Sequence, residues 1–238
     1  MSNNTKWVPP TALDKKALIE ISDEVLGRAD IPFNETEHIF RISALEMDWD
    51  VGVMIYEPED QNSIPRGADG KKIGMFVLAG GSGDYRAMEQ LTRLITRKFG
   101  YRIATMTYPG RLYLSDPSRN WPGDTIKQDG SVRTPIWLND EFVQPDEYEV
   151  KVDESLRSRY GRRMVARAKP GTRFYDRMAA WPLAFEEAMK TVCRVHLPKN
   201  EYSIYVHGHS TGGPFVHLLT QRVENIQGVV GIENSPFG

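Results

Sequence analysis

The chain has 238 residues, with 30 Lys and Arg against 32 Asp and Glu and a formal net charge of −2. That length is enough for the core of one substantial domain, and the balanced charge excludes a chain-wide positive field for capturing nucleic acid. A single cysteine, Cys193, excludes an internal disulfide framework.

Met1 to Pro10 lacks the apolar stretch of a secretory signal, and no later run is long and apolar enough to span a bilayer. Together with the lone thiol these features set the expectation of a cytoplasmic protein with no membrane partner. Ala12 to Leu26 places Leu13, Leu18, Ile19, Ile21 and Leu26 among charges, which predicts a short amphipathic helix covering the start of the domain. Two strand-like runs follow, His38–Leu45 and Asp50–Tyr56, the second alternating Val51, Val53 and Ile55 with other residues. Pro58 to Gly70, rich in Pro, Asp, Asn, Ser and Gly, is a connecting loop.

Lys72 to Ala79 is a nearly continuous apolar run, the pattern of a strand buried on both faces, and it ends in Gly80-Gly81-Ser82-Gly83. A helix is predicted from Asp84 to Lys98, stopped by Gly100, then a strand over Arg102–Tyr108. From 111 to 171 the alternation breaks. This stretch is far longer than an ordinary connection and reads as an insertion or lid. Its acids (Asp140 to Glu154) precede its bases (Arg157 to Arg173), which suits either a self-compensating solvated hairpin and helix or a lid offering arginines to an anion. A long helical pattern from Arg173 to Val195 contains Trp181-Pro182, where a kink is expected, and Cys193 sits in it as a small core residue. The strand Ser203–His207, a helix from Pro214 to Val223 and the strand Gln227–Ile232 complete the pass. Strands and helices alternating at this spacing mean an α/β fold with a mainly parallel central sheet flanked by helices.

Between the last two strands, Gly208-His209-Ser210-Thr211-Gly212 fits G-x-S-x-G. In that pattern a serine sits on a tight strand-to-helix turn with its hydroxyl projecting into a site, and the glycines leave room for the turn. A strand-like run stands before it and a helix-like run after it, with Pro214 in the first helical turn, where a missing N–H does no harm. Ser210 is therefore the candidate nucleophile. The Gly80–Gly83 run is not a dinucleotide fingerprint, because Arg86 stands where the third glycine belongs. His207 and His209 fall at i and i+2 of a strand, on one face, where two histidines can share a metal; no further ligand stands nearby in sequence.

These features resemble the α/β-hydrolase superfamily from about Phe40 to Gly238, with 111–171 as an insertion after the fourth strand. The resemblance implies a serine hydrolase acting on a small-molecule ester, amide or related acyl substrate, without metal or cofactor. It implies oxyanion-hole donors at the amides of Thr211, next after the nucleophile, and of Gly81, in a loop like the Gly-Gly motif of esterases with Ala79 in place of the usual histidine. It also implies an acid after the seventh strand and a histidine after the eighth. By strand count Gln227–Ile232 is the sixth, so the C-terminal strands are expected to be missing. Glu233, at the end of the sixth strand, is the acid that remains, as in a minority of relatives. None of His38, His196, His207, His209 and His217 fits the base. Two readings stay open: a serine hydrolase, and a truncated or pseudo-hydrolase that works as a binding or interaction module. An exposed sheet edge after the sixth strand invites association of two copies.

Overall fold

A computed structural model describes residues 12–80, 85–108, 148–158, 161–210 and 212–232. In chain order its elements are α1 (Lys15–Gly27), β1 (Phe33–Ala44), β2 (Met47–Pro58), β3 (Lys72–Leu78), α2 (Glu89–Phe99) and β4 (Arg102–Met106). They are followed by β5 (Tyr148–Ser158), β6 (Gly161–Ala168), α3 (Phe174–Val195), β7 (Tyr202–His209), α4 (Gly212–Leu219) and β8 (Ile226–Ile232). Six strands form one sheet in the order β1-β2-β4-β3-β7-β8. β4, β3, β7 and β8 are parallel, and β2 runs antiparallel to both β1 and β4. The six strand-like runs read from the sequence are these six strands, and the mainly parallel α/β sheet flanked by helices is present.

Alternation along the strands sorts their side chains into two cores. On one face Val51, Val53, Ile55, Phe76, Leu78, Ala104, Met106, Ile204 and Val206 pack with Ala184, Phe185, Ala188 and Val192 of α3 and Val216 and Leu219 of α4. On the other face Tyr56, Val77 and Ile103 are covered by Met88, Leu91 and Ile95 on and beside α2. Burial of both faces is why β3 reads as an unbroken apolar run. At roughly 1.5–3 kcal/mol for each fully buried large aliphatic or aromatic side chain, the larger core dominates the stability of the sheet.

The helices follow their punctuation with three departures. α2 starts at Glu89, a turn later than expected, and ends where Gly100 adopts φ 70° and donates its N–H to the Thr96 carbonyl, a left-handed C-cap. α3 is one helix of 22 residues that continues through Pro182. Proline there forfeits one ladder hydrogen bond, yet packing of both halves on the sheet keeps the element continuous. α1 does not cover the domain: none of its residues is buried, and Leu18 and Leu26 are more than half exposed. It is capped by Asp14, which accepts from the Ala17 N–H, and its far end is tied to α2 where Lys98 Nζ donates to the Leu26 and Arg28 carbonyls.

Within the 111–171 stretch the described part is an antiparallel hairpin, β5 with β6, forming a separate two-stranded sheet. Its backbone register sets Glu149 opposite Arg167. Residues 109–147 lie outside the described residues, and with them the aromatic candidates Trp121 and Trp137. Among the described residues, no helix is long and apolar enough to cross a membrane.

Candidate active site

β3 and β7 lie side by side in parallel register, Val77 opposite His207 and Leu78 opposite Gly208, so their carboxyl ends open at the same place. The chain leaves β7 into α4 through Ser210, which holds φ 52°, one of four non-glycine residues with positive φ among the described residues. A left-handed backbone costs a serine about 1–3 kcal/mol and persists only where the surroundings enforce it. Here they do. A Cβ on Gly208 would stand 2.5 Å from the Gly212 carbonyl oxygen and 2.7 Å from Val216 Cγ1. A Cβ on Gly212 would stand 2.9 Å from the Leu78 oxygen and 3.0 Å from the Ala79 oxygen. Both glycines are thus required by close backbone approach, the first within the turn and the second between the turn and the end of β3.

Hydrogen bonds fix the turn from two sides. The Ser210 N–H donates to the Ile232 carbonyl on β8 (3.0 Å), and the Gly213 N–H donates to the Ser210 carbonyl (2.9 Å). The loop after β3 is fixed as well: the buried Tyr108 hydroxyl donates to the Ala79 carbonyl (2.8 Å). Tyr108 stacks on Phe185 with ring centroids 5.0 Å apart, and burial pushes its hydroxyl pKa well above the ordinary tyrosine value, so it remains a neutral donor. That latch brings Gly80 against Ser210. The position of a Gly80 Cβ lies 3.4 Å from Ser210 Cβ, 3.6 Å from His209 Nδ1 and 3.8 Å from Ser210 Oγ.

Of the site residues read from the sequence, Ser210 is described and stands at the strand-to-helix turn. Gly81, Thr211 and Glu233 lie outside the described residues. Their immediate neighbours Gly80, Ser210, Gly212 and Ile232 are described, and the contacts above bring these four together. Two features at this site carried no sequence signal: the Tyr108 latch and the Ile232 carbonyl that receives the Ser210 amide. Each depends on which strands are neighbours.

The histidines separate into two groups. His207 and His209 share a face at the carboxyl end of β7, as their spacing predicts. His207 is buried, its Nδ1 has no hydrogen-bond partner among the described residues, and burial, with the neighbouring His209, pushes its pKa down. Among the described residues no three His, Cys, Asp or Glu side chains come together to hold a metal. His196 follows α3 and precedes the amino end of β7 in the chain. It packs on His38 with ring centroids 4.5 Å apart, and burial, with His38 and Arg102, pushes its pKa down to about 4. His217 is exposed on α4. Ser210 Oγ has no hydrogen bond to a histidine among the described residues. Cys193 is half-buried in α3, where burial pushes its thiol up to about 12, the behaviour of a small packing residue.

No protein-family model and no curated protein matches the chain. Solved structures do. A bacterial heroin esterase is 12% identical with a TM-score of 0.44, covering 92% of this chain and 50% of its own. A thermostable carboxyl esterase from Bacillus coagulans is 14% identical with a TM-score of 0.44, covering 82% of this chain and 44% of its own. An S-formylglutathione hydrolase from Staphylococcus aureus is 10% identical with a TM-score of 0.38, covering 83% and 58%. The chain spans about half the length of these solved structures. With its mainly parallel six-stranded sheet, its antiparallel second strand and a serine held at positive φ on the turn between strand and helix, the chain has the α/β-hydrolase fold.

Proposed function

We propose that the chain is the nucleophile-bearing part of a serine hydrolase that cleaves an ester, amide or related acyl substrate. The observation that carries this reading is the strained conformation of Ser210, enforced by Gly208 and Gly212 and set against the Gly80 loop. Strain of this kind costs stability and has no use in an ordinary turn, whereas it lifts a hydroxyl clear of the strand for attack on a carbonyl. In this reading Ser210 Oγ forms the acyl-enzyme, and the amides of Thr211 and Gly81 receive the oxyanion. Gly81 directly follows Gly80, which lies against Ser210, and Thr211 directly precedes α4 in sequence, a helix whose N-terminus favours negative charge. Losing one such donor typically costs about 100-fold to 1,000-fold in rate. Glu233 serves as the acid of the triad. It directly follows Ile232, whose carbonyl accepts the Ser210 N–H, so the order of the chain favours a position beside the turn. The substrate is a small acyl compound, and no metal or cofactor takes part.

A second reading, a binding or interaction module without catalysis, is favoured by the lack of any hydrogen bond between Ser210 Oγ and a described histidine, because a serine without a base is a weak nucleophile. Fluorophosphonate labelling separates the two. Hydrolase chemistry predicts stoichiometric labelling that Ser210→Ala abolishes. A chain that stays unlabelled while correctly folded supports the binding module, and labelling that survives Ser210→Ala removes Ser210 from the mechanism.

A further inference from the structure

We propose that the cleft between the last turns of α3 and the loop joining α4 to β8 binds a small phosphomonoester with an apolar body. This inference is independent of the proposed chemistry, because the cleft lies at Ile204, toward the amino end of β7, whereas Ser210 follows the carboxyl end. All of its walls are described residues, contributed from within 190–200, by Ile204 and by 222–224. Its volume of about 610 Å³ falls within the range of small-molecule sites, roughly 300–1,000 Å³.

Charge decides the class of ligand. Four cations line the cleft: Lys190, Arg194, Lys199 and Arg222. Among the described residues two carboxylates answer them. Glu186 accepts from both Lys190 Nζ (2.6 Å) and Arg222 Nε, and Glu224 accepts from Lys199 Nζ (2.7 Å). Arg194 meets no carboxylate among the described residues; its Nη2 donates to the Thr191 hydroxyl (2.7 Å). An excess of two positive charges remains, which matches a phosphomonoester at about −1.5 to −2 near neutral pH. A cation in the last turn of α3 suits the helix dipole, yet that accounts for Arg194 and not for Arg222 across the cleft. Arg222 spends only Nε on Glu186, so its terminal nitrogens keep the paired N–H geometry that phosphate oxygens take.

The rest of the ligand has its own surface. Leu197, Ile204 and Val223 are buried residues and form the inner side of the cleft, while Arg194, Lys199 and Arg222 are exposed. Inorganic phosphate held by the cations would leave that apolar side wet. An aromatic or hydrocarbon group on the same head covers it and adds affinity in proportion to the apolar area removed from water. Glu224 is the one carboxylate residue in the lining, so its charge works against the anion and its removal should favour binding.

Isothermal titration calorimetry with naphthyl phosphate, at a pH where the phosphate is doubly charged, tests the proposal. The expected Kd is about 100 µM or tighter. Inorganic phosphate, naphthol and the singly charged naphthyl sulfate should each bind at least about tenfold more weakly. Arg194→Gln should weaken naphthyl phosphate about tenfold, and Glu224→Gln should tighten it about threefold. Both side chains are exposed, and thermal melts followed by circular dichroism verify that the variants fold. Methyl NMR locates the ligand: shifts are expected at Leu197, Ile204 and Val223, and not at Leu78, whose backbone is opposite Gly208 beside the turn. No binding by the wild-type chain, equal affinity for naphthyl sulfate, or no shift at Leu197, Ile204 and Val223 overturns the proposal. So does a folded Arg194→Gln variant that binds as tightly as wild type, or a Glu224→Gln variant that binds more weakly.

Discussion

At its carboxyl end β7 is packed so closely that positions 208 and 212 require glycine and Ser210 is held at φ 52°. At its amino end the same strand is surrounded by ordinary structural contacts. Ser203 Oγ donates to Asp69, Asn225 Nδ2 donates to the Tyr202 carbonyl, and Tyr202 lies beside Arg102, which pairs with Glu57. Nearby, Glu186 of α3 holds Lys190 and Arg222, joining the helix to the loop before β8. One end stores strain around Ser210; the other satisfies polar groups and fastens helices to the sheet. A polar residue on this strand therefore carries meaning through its place along the strand: Ser203 at the amino end serves a structural hydrogen bond, whereas Ser210 at the carboxyl end sits in an enforced turn.

The contrast is sharpest at Gly208. Replacing it with alanine drives a methyl into the Gly212 backbone, which no rotamer change relieves, and should destabilise the fold by about 3 kcal/mol or more. Urea denaturation reads this, and a loss below 1 kcal/mol would break the claim that the turn is over-determined. At the other end the expected effect is a pH dependence. His196 has its folded pKa depressed to about 4, so its contribution is complete above the unfolded value near 6.5. It is lost as pH falls from 6.5 through 4, by up to about 3 kcal/mol. His196→Leu should flatten that part of the stability–pH curve, and an unchanged slope would show that acid sensitivity arises elsewhere. Glu186→Gln, which keeps the shape but removes the charge that Lys190 and Arg222 face, should cost about 1–2 kcal/mol in the same denaturation experiment. Smallest and opposite in sign is Ser210→Gly, which relieves the left-handed strain and should raise stability by about 1 kcal/mol while removing the hydroxyl. A serine end that gains nothing from this change is not strained.

Much of the β7 story is readable from residues alone. An apolar run before the elbow, a glycine on either side of the turn and Pro214 in the following helix all report local geometry, and local geometry is what periodicity and turn chemistry encode. The six strands are legible for the same reason. What escapes is set by neighbours distant in sequence. Tyr108 latches Ala79 across 29 positions of the chain, and Ile232 receives Ser210 across 22, contacts that depend on the strand order. α1 shows the converse error: its apolar residues have helical spacing, yet periodicity predicts only that a helix has an apolar side, and none of that side is buried here. The hairpin of β5 and β6 takes its register from strand pairing, which the order of charges in the sequence does not fix.

In the proposed mechanism, strain at the carboxyl end of β7 presents Ser210 as a nucleophile. Peptide mapping by tandem mass spectrometry after fluorophosphonate treatment tests it most directly. The account predicts one phosphonylated residue, Ser210, in the peptide spanning the elbow. An adduct on any other serine, with Ser210 unmodified in a correctly folded chain, would contradict it.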